Sequence, residues 1–572
     1  MKKHLNVGLF AASLLTLFSC ARQGTPSGGP KDVTPPAFVS SYPDTLAVNV
    51  DPNIKEIKIN FDEYVQLKDY NKNAVVSPPF EKNPIVAPIS MAEKYVSIKL
   101  QEPLQPNTTY SFNFGDAIQD YNENNKLSNF NYVFSTGSFI DSLSLKGKVF
   151  PGSDFKLPEK VLVGLFEYDE NYNDSIPLKS KPYYISRVKE NGEYELKYLR
   201  EGKYKIIAFE DAIENSKFDV AKEKVAFTDQ IIDLDNPKSV DLKLFTPKKN
   251  YRIEKIVQKG YGHIVVRTVG VQEPLKINLK DKSFQTLTID QHLKQDSINI
   301  WFNPKVDKIE GKNERLSFEI QHKDKVETQT VLYVNPTQEF EPNYSTSKES
   351  KFPPNKDFKI TGLAPIKSIN KNLINVFRDT IAIKFDAEID PINKQQINFK
   401  FNKDLKEKYE INVYPKAITD IFDEVNDTLV YQIATGARED FGNLRVKINN
   451  LEPNPIFIQL IKDSKEFDVL DEVYSTEREF YFPNIDPGEY YLRILVDANK
   501  NGVWDSGEYI GQIQPEPSYI YPTKLIIRPL WDSDETWIIG KESENFILLP
   551  EVKVDEKDKT KQNQNRNQQT NR

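Results

Sequence analysis

The run Asp497-Ala498-Asn499-Lys500-Asn501-Gly502-Val503-Trp504-Asp505-Ser506-Gly507-Glu508 places side-chain oxygens at its first, third, fifth, ninth and twelfth positions and a glycine at its sixth. That is the spacing of a twelve-residue calcium loop. Calcium takes about 6–8 oxygens at roughly 2.3–2.6 Å, so alternate residues must turn inward around a tight bend. On this reading Asp497, Asn499, Asn501 and Asp505 offer side-chain oxygens. Val503 offers its carbonyl, Glu508 binds with both carboxylate oxygens, and Gly502 permits the bend. Three carboxylates suit the weak extracellular class, at about 10⁻⁴–10⁻³ M. The ion would be structural, and chelation would lower the melting temperature of the C-terminal domain. A polar hairpin held by Asn-Gly and side-chain turns uses the same residues without a metal. An upstream counterpart keeps Asp211, Asn215 and Asp219 but has Ile213, Ser216 and Lys222 where an oxygen, the glycine and the last carboxylate belong, so it is not expected to bind.

Other reactive groups are sparse. Asp62-Glu63 and Asp116 with Asp120 offer carboxylate pairs of the kind general acid–base chemistry uses, but they fall at strand ends and turns. His263, His292 and His322 stand beside no serine or cysteine nucleophile motif, and no phosphate-cradling glycine loop is present. The expectation is a protein without catalytic residues.

One residue has a covalent future. The chain contains a single cysteine, Cys20, which excludes disulfide scaffolds and thiol zinc sites. It follows Lys2, Lys3 and an apolar run from Val7 to Phe18, the parts of a secretory leader. The run is too short for a bilayer span, which needs about 20 residues. Leu17-Phe18-Ser19-Cys20 resembles the lipobox of bacterial lipoproteins. The resemblance implies cleavage before Cys20, a diacylglycerol on its thiol and an N-acyl chain, which together anchor stably where one chain would not. No aspartate follows Cys20, so the outer membrane is expected, at its periplasmic face or the cell surface. Loss of Lys2 and Lys3 carries the formal charge two units below −8, against a nucleic-acid partner.

The elements that must hold these groups are strands. The 28 Tyr, 34 Phe and 36 Pro against 2 Met favour sheet over helix, and 572 residues exceed one core. Runs such as Ile57-Lys58-Ile59-Asn60-Phe61 and Tyr110-Ser111-Phe112-Asn113-Phe114 alternate with period two between Pro/Asn turns. An internal repeat organises the chain. "EFYFPNIDPGEYYLRILVDANKNGVWDSGE" lies without gaps under "EYELKYLREGKYKIIAFEDAIENSKFDVAK", matching Phe480 to Tyr194, Phe482 to Leu196, Ile485 to Leu199, Gly488 to Gly202 and Asp497 to Asp211. Ile418-x-Asp420 likewise echoes Ile118-x-Asp120.

"TPPAFVSSYPDTLAVNVDPNIKEIKINFDEYV" and "NTTYSFNFGDAIQDYNENNKLSNFNYVFSTG" resemble a bacterial Ig-like domain of the S-layer type. "NGEYELKYLREGKYKIIAFED" resembles the transthyretin-like, carboxypeptidase-regulatory sandwich. The expected fold is all-β: a string of Ig-like and transthyretin-like β-sandwiches with a flexible N-terminal tether and a disordered C-terminal tail. The expected spans are a signal peptide (1–19), a lipidated tether (20–32), an Ig-like domain (33–137) and a transthyretin-like sandwich (138–245). A β-rich domain (246–360, with a linker over 339–358), a second Ig-like domain (361–436), a second transthyretin-like sandwich (437–550) and the tail (551–572) complete the chain. The 497–508 loop is similar to calcium loops in the sandwich repeats of surface proteins. Thr45, Ser142, Ser175, Ser297, Thr380 and Thr428 each follow Asp and precede an aliphatic residue. The pattern resembles the O-glycosylation acceptor of a group of Gram-negative bacteria, though it also suits turn-to-strand entry.

Chain-wide, the sequence resembles outer-membrane lipoproteins built from such domains. The implied function is a non-catalytic, lipid-anchored scaffold or protein-binding subunit of an outer-membrane assembly, secretion or uptake complex. The alternative is a cell-surface adhesin or glycan-binding lipoprotein. Trp504, Trp531 and Trp537 would be its stacking candidates, the last two expected as core or turn residues.

Overall fold

The computed structural model describes residues 32–549, except 236–238, 272, 281, 292–295, 310–312, 337–339, 348, 350 and 541–545. The expected leader, Cys20 and the expected tail at 551–572 lie outside the described residues. The described chain is nearly all-β, in small, mostly antiparallel sheets that pair into β-sandwiches. Among the described residues, no helix is long and apolar enough to cross a membrane.

In the first sandwich, strand Glu56–Leu67 shows why alternation works. Ile57, Ile59, Phe61, Val65 and Leu67 are buried while Glu56, Lys58 and Asp62 face out. The strand pairs with Glu93–Lys99 up to Asn60, shifts register, and then pairs with Ile118–Asp120 from Val65. Asp62-Glu63 sit on this irregularity. The Asp62 carboxylate accepts the Ala37 N–H at 2.8 Å, a conformational rather than a catalytic task. The opposing sheet, Val75–Ser77, Thr109–Asn113 and Asn131–Ser135, brings an aromatic stack of Phe80, Tyr110, Phe112, Tyr132 and Phe134 into the core.

The fourth sandwich repeats three hydrogen bonds of the first. The Gln105 N–H donates to the Tyr110 hydroxyl at 2.8 Å, and the Asp404 N–H to the Tyr409 hydroxyl at 2.6 Å. Thr136 and Thr435 donate to the carbonyls of Gln105 and Asp404 at 2.7 and 2.6 Å. Tyr132 and Tyr431 donate to the carbonyls of Pro43 and Tyr344 at 2.8 and 3.2 Å. The fourth sandwich also begins earlier than expected. Tyr344–Ser345 pairs with Phe358–Gly362, and Phe352 is buried in its core. The Pro-, Ser- and Lys-rich stretch read as a linker carries three buried aromatic anchors, Tyr344, Phe352 and Phe358, and burying them outweighs the linker-like composition around them.

The second and fifth sandwiches share one topology. In the second, Val161–Glu167, Lys203–Glu210 and Val225–Phe227 form one sheet, with Ile232–Asp233 beside the middle strand. Glu193–Leu199, Leu143–Pro151 and Leu242–Leu244 form the other, whose last strand runs parallel. The fifth repeats this order with Ile456–Lys462, Gly488–Val496, Ser518–Ile520 and Leu525–Ile527, faced by Glu479–Ile485, Gly442–Asn449 and the parallel Asp532–Ile538. Trp537 is buried in the fifth core, edge-on to Tyr521 at 5.3 Å. Trp531 is 57% exposed.

These two sandwiches, far apart in sequence, interlock. Phe155 stacks on Phe467 at 4.9 Å and meets Tyr491 at 5.1 Å, with Ile461 and Ile520 buried beside them. Arg493 donates to the Ser153 carbonyl at 2.5 Å, and Ser518 to the Gly152 carbonyl at 2.7 Å. A hairpin at Glu508–Ile513 inserts Tyr509 edge-on against Phe218 (5.1 Å) and Phe227 (5.5 Å). The third sandwich, built on Arg252–Gly260 and His263–Val269, meets the fourth through Trp301, Ile421 and Phe422, with Tyr261 and Phe340 packed against them.

The repeated Ile-x-Asp positions differ in one respect. The Asp120 carboxylate would be raised by burial, but the N–H groups of Glu123, Asn125, Asn124 and Asn122 outweigh this and hold it below its usual range. Asp420 accepts only from Phe422 and Glu424 (2.9 and 3.1 Å), and burial pushes it up to about 6. The folded fourth sandwich therefore holds this proton more tightly than the unfolded chain, whose aspartates titrate near 3.9. Its contribution is full below about pH 4 and is lost as pH rises through about 6. Wild type is expected to lose about 2 kcal/mol relative to Asp420→Asn between these values. Melting temperatures of both proteins across that range would show it; parallel curves would contradict it.

Candidate functional site

The 497–508 loop leaves strand Gly488–Val496 and returns through Ser518–Ile520. Asp497 is fully buried at its root. One carboxylate oxygen accepts the Asn501 N–H at 3.0 Å; the other accepts the Gly502 N–H at 2.8 Å and the Tyr474 hydroxyl at 2.7 Å. Burial alone would raise this carboxyl, yet the Tyr474 hydroxyl and the loop N–H groups hold it below its ordinary value. The odd positions then turn inward in sequence. Asn499 accepts from the Asn501 N–H at 3.0 Å, and Asn501 from the Val503 N–H at 2.9 Å. Gly502 supplies the bend with φ +84°.

The far side of the loop closes on Asp505. One of its oxygens receives the amides of Asn499 and Asn501 at 2.6 and 2.7 Å. The other meets the Lys248 ammonium at 2.5 Å. Burial would raise Asp505 also, but Lys248, Asn499 and Asn501 hold it down. Glu508 stands apart, its backbone bridged to Ile513. Even so, Asn499, Asn501, Val503, Asp505 and Glu508 all line one open cavity of about 640 Å³, with Lys248 on its wall.

Four of the six predicted ligands thus gather in one turn. Among the described residues no three His, Cys, Asp or Glu groups lie close enough to hold a metal by themselves. A cation would depend on the asparagine amides, whose oxygen and nitrogen ends exchange by a half-turn. The donors fit a hard, weakly held cation of this kind, and the Lys248 ammonium already stands beside Asp505 as a stand-in charge.

The equivalent loop of the second sandwich keeps the same frame without the calcium spacing. Asp211 accepts the N–H groups of Asn215 and Ser216 at 2.9 and 3.1 Å. Ser216 adopts φ 58° where the later loop has glycine. A second carboxylate completes each frame, and neither was foreseen. Glu223 accepts the N–H groups of Ala212 (3.0 Å) and Asp219 (2.8 Å). Glu516 accepts those of Ala498 (2.9 Å), Asn499 (3.0 Å) and Asp505 (2.8 Å).

The remaining candidates are dispersed. Asp116 pairs with Lys126 at 3.7 Å. His263 stacks on Trp301 at 3.6 Å and bonds Asn299 at 2.9 Å; burial lowers its basicity. His322 stacks on Tyr251 at 4.2 Å, and His292 lies outside the described residues. Trp504 donates to the Glu516 carbonyl at 3.1 Å. Thr45, Ser142, Thr380 and Thr428 are exposed, while Ser175 and Ser297 are half-buried; all six sit in turns, at a helix cap or at strand entries.

Residues 32–136 match the family described as bacterial Ig-like domain. No curated protein matches the chain. Among solved structures, the chain is similar to the major pilin subunit of Bacillus cereus. The two are 10% identical over 70% of this chain and 99% of that one, with a TM-score of 0.13. It is also similar to residues 31–844 of the S-layer protein SbsC (10% identity, 81% and 64% covered, TM-score 0.13). A third is the Bacillus anthracis TIE protein (10% identity, 90% and 76% covered, TM-score 0.13). Likeness at this level carries no function from one chain to another, and the family match covers the first sandwich alone.

Proposed function

We propose that this chain is a non-catalytic, lipid-anchored scaffold of the bacterial outer membrane that works through protein contacts. The interlock of the second and fifth sandwiches supports this reading most directly. The third, fourth and fifth sandwiches and most of the second belong to one compact unit, in which the Phe155–Phe467–Tyr491 stack and Tyr509 tie the second to the fifth. Such a body suits holding partners at fixed positions. Cys20 would attach it through a diacylglycerol and an N-acyl chain. Calcium in the 497–508 loop would be structural, bound at the concentrations found outside the cytoplasm. Glycans on Thr45, Ser142, Ser175, Ser297, Thr380 or Thr428 would add bulk at turns.

A second reading, an adhesin or glycan-binding lipoprotein, has one observation in its favour. Trp531 is exposed with the Arg528 guanidinium 5.0 Å from its ring centroid, a surface on which a sugar can stack.

One preparation separates the readings. The protein is crosslinked in membranes of its native cell and extracted beside Cys20→Ser. The scaffold reading expects a stoichiometric outer-membrane partner, release of Cys20→Ser from the membrane, and an intact mass above the peptide mass. If no partner is recovered and a glycan array is bound in a manner abolished by Trp531→Ala, the adhesin reading replaces it. An unmodified mass would remove both the acyl and the glycan assignments.

A further inference from the structure

The loop read as a calcium site is already engaged by a cation from elsewhere in the chain. Lys248 lies just beyond strand Leu242–Leu244, the last strand of the second sandwich. Its N–H donates to the Gly507 carbonyl at 2.8 Å, and its ammonium stands 2.5 Å from the Asp505 carboxylate. The backbone bond fixes the root of the side chain, so the ammonium is directed into the loop. The twin loop has only a local counterpart. Asp219, at the equivalent ninth position, faces the Lys222 ammonium at 3.6 Å. In both sandwiches a lysine stands beside the ninth-position aspartate, but only Lys248 reaches it from a different sandwich.

A divalent ion taking Asp505 as ligand would stand about where the ammonium stands. A divalent ion and an ammonium within about 4 Å of each other repel strongly even where surface solvent screens them. One must leave. We propose that Lys248 and a divalent cation are alternative occupants of the Asp505 side of this loop, so that Lys248 sets the loop's affinity for calcium. This rests on the calcium reading and gives its weak affinity a cause: binding must first displace a tethered competitor. It also ties the metal to the interlock, because the competitor belongs to the strand end that docks at Gly507.

The test uses the full mature chain, wild type and Lys248→Met, titrated with calcium chloride by calorimetry and followed by thermal melting in calcium and in EDTA. Lys248→Gln serves as a second neutral variant, and Lys248→Met/Asn501→Ala assigns any binding to the loop. Both neutral variants are expected to bind calcium at least about tenfold more tightly than wild type. Both should melt lower than wild type in EDTA and recover in calcium, and the double variant should lose the gain. Equal affinities in wild type and both neutral variants would overturn the competition while leaving the calcium reading standing. No binding by any variant up to about 20 mM, well beyond the weak extracellular range, would sink the calcium reading and the competition with it.

Discussion

Tyr509→Ala is expected to separate the melting of the second and fifth sandwiches. Tyr509 belongs to the fifth sandwich by sequence, yet its ring packs against Phe218 and Phe227 of the second. Only 1% of it is exposed. Truncating a buried aromatic ring costs about 3–5 kcal/mol. Here that loss falls on the docking of two sandwiches rather than on either core. Calorimetry should show one coupled transition for the pair in wild type and two in the variant. Proteolysis should reach the hairpin at Glu508–Ile513 only in the variant. Tyr509→Phe is the control. The Tyr509 hydroxyl is buried without a hydrogen-bond partner, so removing it should leave stability unchanged or raise it by about 1 kcal/mol. Coupled melting in Tyr509→Ala would show that the remaining contacts, among them the Phe155 stack and the Arg493 and Ser518 hydrogen bonds, hold the sandwiches together without it.

Residue periodicity told the architecture better than it told the site. Strand alternation and turn residues are local, so Glu56–Leu67 and Thr109–Asn113 could be read directly. The ungapped repeat could be read because Tyr194, Leu196, Leu199 and Gly202 meet their partners at constant spacing, and the two sandwiches do share a strand order. The odd positions of the 497–508 loop were readable for the same reason. Glu516 was not, because the hairpin carrying Tyr509 is inserted between it and Asp497. Its counterpart Glu223 follows Asp211 more closely, and no common spacing links the two. Lys248 was invisible in another way: it reaches Asp505 from a different sandwich, and no local pattern records such a contact. The stretch over 339–358 misled because composition averages over residues. Tyr344, Phe352 and Phe358 are three anchors among many polar neighbours, and these buried aromatics suffice to fix the segment.

The twin loops also decide which residues build the turn and which would serve an ion. Asp211 and Asp497 do the same work, each accepting the N–H groups four and five residues on, although only the later loop has the calcium spacing. That frame therefore does not depend on the calcium spacing. Asp497→Ala is expected to destabilise the fifth sandwich by about 3 kcal/mol in EDTA, with a smaller further loss in calcium. The loss has two sources: the loop N–H groups and the Tyr474 hydroxyl forfeit a charged acceptor, and a fully buried site is emptied. Asp211→Ala should cost the second sandwich a similar amount. Asn501→Ala is different, because its amide serves Asp505 and one exposed N–H. In EDTA it should cost at most about 1 kcal/mol, with any further loss appearing only when calcium is present. Thermal melting of the three variants, with and without the ion, separates the frame from the ligand. A calcium-dependent penalty in Asp497→Ala as large as its loss in EDTA would make that aspartate a ligand first and a structural residue second. Equal penalties for Asn501→Ala in both conditions would leave the loop as a hydrogen-bonded turn whose positive charge comes from Lys248 alone.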